Sequence, residues 1–344
     1  MSSTNGVHQP HVPPSGVWCP AVTLFDKETD TLDLPSQKKY FRYLSETGLA
    51  GLVILGTNAE AFLVTREERY QLIAAAREAV GPTFPLMAGV GAHSTRQVFE
   101  NIDDAVKAGA DYVLVLPPAY FGKATTNEVI KTFFDDVARY SPLPIVIYNF
   151  PGVCNGVDLD SDMITAIAKK HSNVVGVKLT CGSVAKVSID LRSTFGFRLA
   201  SAVMTDIQTQ ITRLGSSFTP SQFATFGGQS DFLIGGLSAG SSGCIAAFAN
   251  IFPKTIVKIY NLYQEGKFAE ALRLHQQAAL AENVCRQSIA ATKYAAALTS
   301  AKTAGIEGAV EKMEPRRPYG GPAAAVREGV EVALRKLQGF EGAV

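Results

Sequence analysis

The chain has 344 residues, of which 47% are hydrophobic and 18% are charged, a composition typical of a protein with a large apolar core. Its 32 basic and 31 acidic residues give a formal net charge of +1, so it lacks the positive field of proteins that bind nucleic acids or anionic membranes. No uncharged run reaches about 20 apolar residues, the length that spans a bilayer. We therefore expect a small-molecule partner, with no nucleic acid and no membrane.

The cysteines and the first residues of the chain indicate a compartment. The five cysteines are an odd number without a C-x-x-C pair, which argues against a disulfide framework or a zinc site and fits a reducing environment. No apolar leader follows Met1, and the first arginine is Arg42, which argues against an Arg-rich transit peptide. These observations predict a cytoplasmic protein.

Residues 1–15 are polar and contain three prolines, which predicts a disordered tail. Beyond them, short apolar runs alternate with amphipathic stretches, the pattern of parallel strands that are covered on both faces and separated by helices. The eight runs predicted as strands are Trp18–Thr23, Leu52–Leu55, Leu86–Val90, Tyr112–Leu116, Ile145–Asn149, Val174–Lys178, Phe223–Phe226 and Cys244–Ala247.

The intervening stretches have helix signals. Thr65 and Glu68 form a capping box ahead of Leu72 and Ile73, which share one helical face. Eight βα units close a barrel, so the predicted fold is an α/β class (β/α)₈ TIM barrel over residues 16–252. Residues 253–344 are predicted to form a C-terminal helical extension, and residues 192–222 have no assignment.

Polar residues follow several of the predicted strands, at the end of a barrel where active sites lie. Lys178 closes the run Val174–Val177, and desolvation in an apolar barrel favours the neutral amine, which attacks a ketone to form an imine. The alternative is a lysine that merely ends a strand in solvent. For the lysine alone, that alternative is the better explanation. The tyrosines that converge on the same end of the barrel favour the imine-forming role instead.

Two hydroxyls accompany the lysine. Tyr148, at the end of the fifth predicted strand, could shuttle protons to and from the carbinolamine and the aldol oxygen, or it could be a buried aromatic with a satisfied hydroxyl. Thr57, after the second strand, could relay that proton, or it could be a turn or capping hydroxyl.

Three motifs carry a resemblance to a known family. They are Gly56-Thr57-Asn58-Ala59-Glu60, Tyr148-Asn149-Phe150-Pro151 and Val177-Lys178-Leu179-Thr180. With these motifs in order and at the family's spacing, the chain resembles the dihydrodipicolinate synthase/N-acetylneuraminate lyase family of class I aldolases, from about Gly16 to about Pro322. The resemblance implies a barrel with a C-terminal helical extension, assembled as a homotetramer or a homodimer.

The resemblance also implies roles for individual residues. Lys178 matches the Schiff-base lysine, Tyr148 the proton-shuttling tyrosine and Thr57 the relay hydroxyl. Tyr120 matches a tyrosine that reaches into the site of the neighbouring subunit. The backbone of Thr57 and Asn58 matches the binding site for the carboxylate of the 2-oxo acid.

Two further residues, Gly228 and Ser230, match positions that face the rest of the substrate. Val153 stands where the synthases of the family have an arginine that grips the carboxylate of aspartate semialdehyde, which argues against that condensation. Thr180 instead resembles the sugar-acid aldolases, in which this hydroxyl meets the substrate chain. Asn58 resembles both 4-hydroxy-2-oxoglutarate aldolases and fungal 2-keto-3-deoxy-galactonate aldolases.

We therefore predict a lyase that cleaves a 2-keto-3-deoxy sugar acid to pyruvate and an aldehyde through an imine. The alternatives are a 4-hydroxy-2-oxoglutarate aldolase, a dihydrodipicolinate synthase-like condensation and a barrel that binds a 2-oxo acid without turnover. No cofactor and no metal are expected, because Gly89-Val90-Gly91 lacks the third glycine of a dinucleotide fingerprint and the five histidines have no ligand spacing.

Overall fold

A closed barrel of eight parallel strands forms the centre of the computed structural model, which describes residues 11–181, 210–335 and 337–342. Every strand is buried along its full length, as expected of apolar runs that face side chains on one side and helices on the other. The strands are β1 Gly16–Pro20, β2 Gly51–Ile54, β3 Leu86–Gly89, β4 Tyr112–Val115, β5 Ile145–Asn149, β6 Val174–Leu179, β7 Ala224–Gly227 and β8 Gly243–Ile245.

All eight predicted strands are confirmed, with ends that differ by at most three residues. Each strand pairs with the next one along the chain, and β8 returns to β1 with Val17 opposite Cys244. Between β5 and β6 the register places Tyr148 directly opposite Lys178. The two residues that the sequence analysis paired by chemistry are therefore neighbours across one ladder.

Helices surround the barrel and present apolar faces to it. The capping box of α2 is present, since Thr65 accepts from the Glu68 backbone and Glu68 accepts from the Thr65 backbone, and Leu72 and Ile73 are buried. Residues 210–217 are also helical. The helices up to β8 are α1 Leu34–Ser45, α2 Arg66–Val80, α3 Thr95–Lys107, α4 Asn127–Tyr140, α5 Ser161–Lys170 and α6 Leu233–Ser238.

The described residues after β8 are mostly helical. None of the described helices combines the length and the apolar character that crossing a bilayer requires. The C-terminal helices are α7 Pro253–Gln264, α8 Phe268–Cys285, α9 Ile289–Leu298, α10 Ser300–Thr303, α11 Ala309–Lys312, α12 Ala324–Arg335 and α13 Gln338–Gly342.

The amino-terminal end of the barrel is closed by aromatic side chains and by the chain that precedes β1. Trp18 packs edge-on against Tyr112, with ring centroids 6.0 Å apart, and donates a hydrogen bond to the Pro14 carbonyl. Gly51 lies so close to Trp18 that a Cβ there would approach the indole ring to 2.3 Å. Space for a ligand is therefore found at the opposite end of the strands.

Two predicted segments extend beyond what the structure describes. Residues 1–10 of the predicted disordered tail lie outside the described residues, whereas His11 stacks on Tyr112 with a centroid distance of 6.1 Å. The part of the chain that packs against the barrel therefore includes residue 11, which lies before the predicted boundary at residue 16. Within the unassigned segment 192–222, residues 192–209 also lie outside the described residues.

Candidate active site

A cavity of about 360 Å³ opens at the carboxyl ends of the strands. One side is formed by the ends of β5, β6 and β7 and by the loop after β2, and the other by the end of α8 and the start of α9. Six of the eight predicted site residues line it: Thr57, Asn58, Tyr148, Lys178, Thr180 and Gly228.

Lys178 and Tyr148 form the inner part of this cavity. Each side chain is only 3% exposed, and the Lys178 Nζ lies 4.1 Å from the centroid of the Tyr148 ring. Both residues are the penultimate members of their strands, so their side chains point into the barrel at the same height. The solvent alternative for Lys178 is wrong, because the lysine is buried in the barrel.

Thr57 extends this pair toward the loop after β2. Its Oγ1 lies 3.3 Å from the Tyr148 hydroxyl, within hydrogen-bonding distance, and either atom can be the donor. Thr57 begins a 3₁₀ turn, Thr57–Ala59, that is flanked by Leu55 and Glu60 with φ values of 65° and 58°. Left-handed conformations at residues other than glycine cost energy, so surrounding contacts must hold this loop in place.

A buried ion pair supplies such contacts. Lys293 of α9 donates to Glu60 Oε1 at 2.5 Å, with the two side chains 0% and 1% exposed. The other oxygen of Glu60 accepts the backbone N–H of Arg316 at 2.8 Å. Burial lowers the pKa of Lys293, while the charge of Glu60 acts in the opposite direction. The C-terminal helices thus anchor the loop that presents Thr57.

We expect Lys293→Met to lower the free energy of unfolding by about 3–5 kcal/mol, because the buried Glu60 carboxylate loses its partner. Denaturant titration measures this loss. Adding Glu60→Gln should restore part of it, since the double variant has no unpaired buried charge. The exposed pair of Lys38 and Glu78 is the control, and Lys38→Met should cost less than about 1 kcal/mol. Equal costs at the two lysines would contradict this account.

Thr180 has a hydroxyl that is available to a ligand. Its backbone N–H donates to Asn149, but its buried Oγ1 has no hydrogen-bond partner among the described residues. Gly228 packs against this hydroxyl so closely that a Cβ would lie 1.8 Å from Thr180 Oγ1. Buried hydroxyls are normally paired, so a substrate group or a water is the expected partner.

Two predicted site residues lie outside the cavity lining. Ser230 is buried, and it donates from its hydroxyl at 2.5 Å and from its backbone N–H at 3.2 Å to the two carboxylate oxygens of Glu282. Tyr120 is 73% exposed and packs against His93 and Phe121 on the surface. Neither residue is among the described residues that line the cavity with Lys178.

Two charged residues of the cavity were missed by the sequence analysis. Glu282 lines it from α8, and burial, followed by the charge of Asp231, raises the pKa of Glu282 to about 8. Arg286 follows α8 and donates from Nη1 to Gln229 and Asp231, both at 2.7 Å. The sequence did contain a signal for Glu282, which lies on the same apolar helix face as the buried Ala278 and Ala281. A charge on such a face needs a partner.

No group of three or more histidine, cysteine, aspartate or glutamate side chains that could hold a metal ion occurs within residues 11–181, 210–335 and 337–342. The cavity instead combines an amine, two hydroxyls at 3.3 Å and a buried carboxyl group. The amine and the two hydroxyls are suited to imine formation and proton transfer.

Comparison with known proteins identifies the family. The model of the dihydrodipicolinate synthetase family matches residues 13–337. The chain belongs to the dihydrodipicolinate synthetase family. The resemblance inferred from the three motifs is therefore confirmed.

Relatives of this family member include named aldolases. A Coccidioides immitis protein with the provisional name of a mitochondrial 4-hydroxy-2-oxoglutarate aldolase is 63% identical over 332 residues, covering 96% of this chain and 98% of that protein. The L-threo-3-deoxy-hexylosonate aldolase of Hypocrea jecorina is 38% identical over 267 residues, covering 76% of this chain and 79% of that protein. Both names describe lyases that cleave carbon–carbon bonds of oxo acids.

A solved structure agrees with the fold. The crystal structure of a dihydrodipicolinate synthase family protein from Coccidioides immitis superposes with a TM-score of 0.86 at 60% identity, covering 97% of this chain and 99% of that one. The predicted (β/α)₈ barrel with C-terminal helices is confirmed.

The predicted compartment is wrong. The Coccidioides relative and a relative from Emericella nidulans, which is 37% identical over 95% of this chain, are both named as mitochondrial proteins. The cytoplasmic prediction depended on the absence of arginine before Arg42, and that compositional rule does not detect every targeting signal.

Proposed function

We propose that this protein is a class I aldolase that cleaves a 2-keto-3-deoxy sugar acid to pyruvate and an aldehyde through a Schiff base on Lys178. The observation that carries this proposal is the buried Lys178 amine beside the Tyr148 ring, with the Tyr148 hydroxyl next to Thr57. A barrel that only binds a 2-oxo acid has no need of an amine placed in this way.

The proposed reaction begins when the Lys178 amine attacks the C2 ketone, and loss of water from the carbinolamine gives an iminium ion. Tyr148 accepts the proton of the C4 hydroxyl and passes it through Thr57. The C3–C4 bond then breaks, its electron pair moves into the iminium as an enamine, and the aldehyde leaves. Protonation at C3 and hydrolysis of the imine release pyruvate and the free lysine.

The substrate carboxylate is assigned to the 3₁₀ turn after β2. The first backbone N–H groups of a helical turn have no partner within the turn, and they favour an anion. Thr57 and Asn58 lie at this position and line the cavity next to Lys178. A carboxylate bound at this turn orients the adjacent ketone toward the Lys178 amine.

One observation favours a second substrate, 4-hydroxy-2-oxoglutarate. Its aldehyde half, glyoxylate, carries a carboxylate that needs a cation or several donors. Val153 supplies neither, but Arg286 enters the cavity from the end of α8. The names of two relatives also point to this compound. The fold and the family match support dihydrodipicolinate synthase-like condensation, and Val153 in the cavity lining argues against it.

Pyruvate release coupled to lactate dehydrogenase decides between these substrates. A six-carbon 2-keto-3-deoxy acid should give the higher kcat/KM in this assay. In a separate assay without lactate dehydrogenase, aspartate semialdehyde with pyruvate should give negligible condensation. A strong preference for 4-hydroxy-2-oxoglutarate would replace the proposed substrate class and leave the Lys178 chemistry unchanged. Absence of pyruvate from every such substrate would contradict the aldolase proposal itself.

We expect Thr180→Val to lower kcat/KM on hydroxylated 2-keto-3-deoxy acids about 10-fold, because the hydroxyl that pairs with the substrate chain is removed. Valine has nearly the shape of threonine, so pyruvate imine formation should stay close to the wild-type level. Borohydride trapping and steady-state kinetics measure the two properties separately. An equal loss in both would show that Thr180 supports the lysine rather than the substrate chain.

Mitochondrial localisation and assembly into a homotetramer or homodimer are part of the proposal. The names of two relatives support the compartment. Tyr120 and Phe121 support assembly, because they form a large exposed aromatic surface, 73% and 76% exposed, near the mouth of the barrel. Fractionation of cells and sedimentation of the purified protein test these two points.

A further inference from the structure

The wall of the cavity opposite the barrel strands comes from the C-terminal helices. The end of α8 contributes Glu282 and Cys285, and the residues that follow contribute Arg286 and Ser288. Because the proposed mechanism places the 2-oxo acid half of the substrate at the strand ends, this wall is left for the half that leaves as the aldehyde.

Glu282 is a carboxyl group of this wall that is held by two hydrogen bonds. Its two oxygens accept the hydroxyl and the backbone N–H of Ser230 at 2.5 and 3.2 Å, and the Ser230 carbonyl contacts His275 Nε2 at 2.8 Å. The residue is only 3% exposed and yet lines the cavity. Each carboxylate oxygen can accept a second hydrogen bond, so capacity remains for a ligand.

The charges around Glu282 determine which ligand groups can bind next to it. Burial raises the pKa of Glu282, and the charge of Asp231 raises it further. Arg286 donates hydrogen bonds to Asp231 and Gln229, both at 2.7 Å. The guanidinium is thus already matched by a neighbouring carboxylate. A second anion placed beside Glu282 and Asp231 is disfavoured, whereas a neutral hydroxyl can donate to the free lone pairs of Glu282.

We propose that Glu282 is a specificity-determining residue that accepts hydrogen bonds from the hydroxyls of the aldehyde half of the substrate. This inference rests on the proposed aldolase function. It narrows the substrate class to 2-keto-3-deoxy acids whose aldehyde half is neutral and carries hydroxyl groups beyond C4. Glu282 of the C-terminal helices therefore selects the aldehyde together with Thr180 at the end of β6, while Lys178 and Tyr148 carry out the chemistry on the 2-oxo acid.

The test compares Glu282→Gln with the wild type on three compounds: a six-carbon 2-keto-3-deoxy acid, 4-hydroxy-2-oxohexanoate, which lacks the distal hydroxyls, and 4-hydroxy-2-oxoglutarate. The matched control is Glu270→Gln, an exposed glutamate on the same helix. Assays at alkaline pH favour the ionised form of Glu282, because burial and the charge of Asp231 raise its pKa.

For the hydroxylated acid, Glu282→Gln should lower kcat/KM by about 10-fold or more, the effect of removing a charged acceptor. The loss on 4-hydroxy-2-oxohexanoate should be small, and kcat/KM on 4-hydroxy-2-oxoglutarate should stay level or rise. Borohydride trapping of pyruvate should equal that of the wild type and of Glu270→Gln.

Equal losses on all three compounds, or no loss on the hydroxylated acid, would overturn the proposed role of Glu282. If Glu282→Gln does not fold, the wild type still provides the test. It must then prefer the hydroxylated acid over 4-hydroxy-2-oxohexanoate by about 10-fold or more, and equal kcat/KM values would overturn the proposal. Failure of the wild type to trap pyruvate would instead contradict the aldolase function on which the inference rests.

Discussion

Replacement of Lys178 by alanine is expected to lower kcat/KM by about 10⁴-fold or more, because among the described residues that line the cavity no other one supplies an amine next to Tyr148. Without the imine there is no electron sink for the C3–C4 bond. The pyruvate-release assay measures the loss, and circular dichroism with thermal unfolding shows whether the barrel is intact.

Lys131→Ala is the matched control for that variant. Lys131 is an exposed lysine on α4, so its removal deletes an amine without touching the cavity. It should leave activity at the wild-type level. A folded Lys178→Ala variant with more than about a tenth of wild-type activity would contradict the covalent mechanism.

Tyr148→Phe is expected to lower kcat by about 10²- to 10⁴-fold, the usual effect of removing a group that transfers protons. In the wild type the Lys178 amine lies 4.1 Å from the centroid of the Tyr148 ring. The phenyl ring of the variant keeps this contact, so the lysine should remain in place. The loss is thus assigned to the hydroxyl. Thr57→Val should cost less, because a water molecule can take the place of the relay hydroxyl.

Tyr112→Phe is the matched control for Tyr148→Phe. Tyr112 is also a buried tyrosine of a barrel strand, but its hydroxyl faces the Val12 carbonyl at the closed end of the barrel. Its loss should affect stability and leave kcat nearly unchanged. Comparable losses of kcat at Tyr112 and Tyr148 would show that the two hydroxyls act only through the fold.

The sequence was sufficient to predict the barrel and the inner part of the site. Parallel strands covered on both faces are continuous apolar runs, so each could be located by composition alone. Lys178 and Tyr148 end adjacent strands of such a barrel, and strand ends meet at one mouth. Local pattern and topology therefore bring these two residues together without knowledge of any long-range contact.

Contacts between distant parts of the chain could not be predicted in this way. The ion pair of Glu60 and Lys293 joins residues that are 233 positions apart. The sequence around either residue does not predict which residue it pairs with. Glu282 and Arg286 reach the cavity because α8 folds back over the barrel mouth. Val153 lies in the loop after β5, whereas the cation of the cavity, Arg286, comes from the C-terminal helices.

Two residues carried over from the family, Ser230 and Tyr120, lie outside the cavity lining. Ser230 lies behind Glu282 instead of facing the cavity, since its hydroxyl and its N–H are both used to hold that carboxyl. The exposed Tyr120 is located where a second subunit could meet it, so its role remains a prediction about the assembly.

The most direct test of the account is reduction of the wild-type protein with borohydride in the presence of pyruvate, followed by peptide mass spectrometry. We expect one reduced pyruvyl group for each chain, on the peptide that contains Lys178. Lys293, a buried lysine that pairs with Glu60, should remain unlabelled. A label on any lysine other than Lys178, or no label at all, would contradict the central claim.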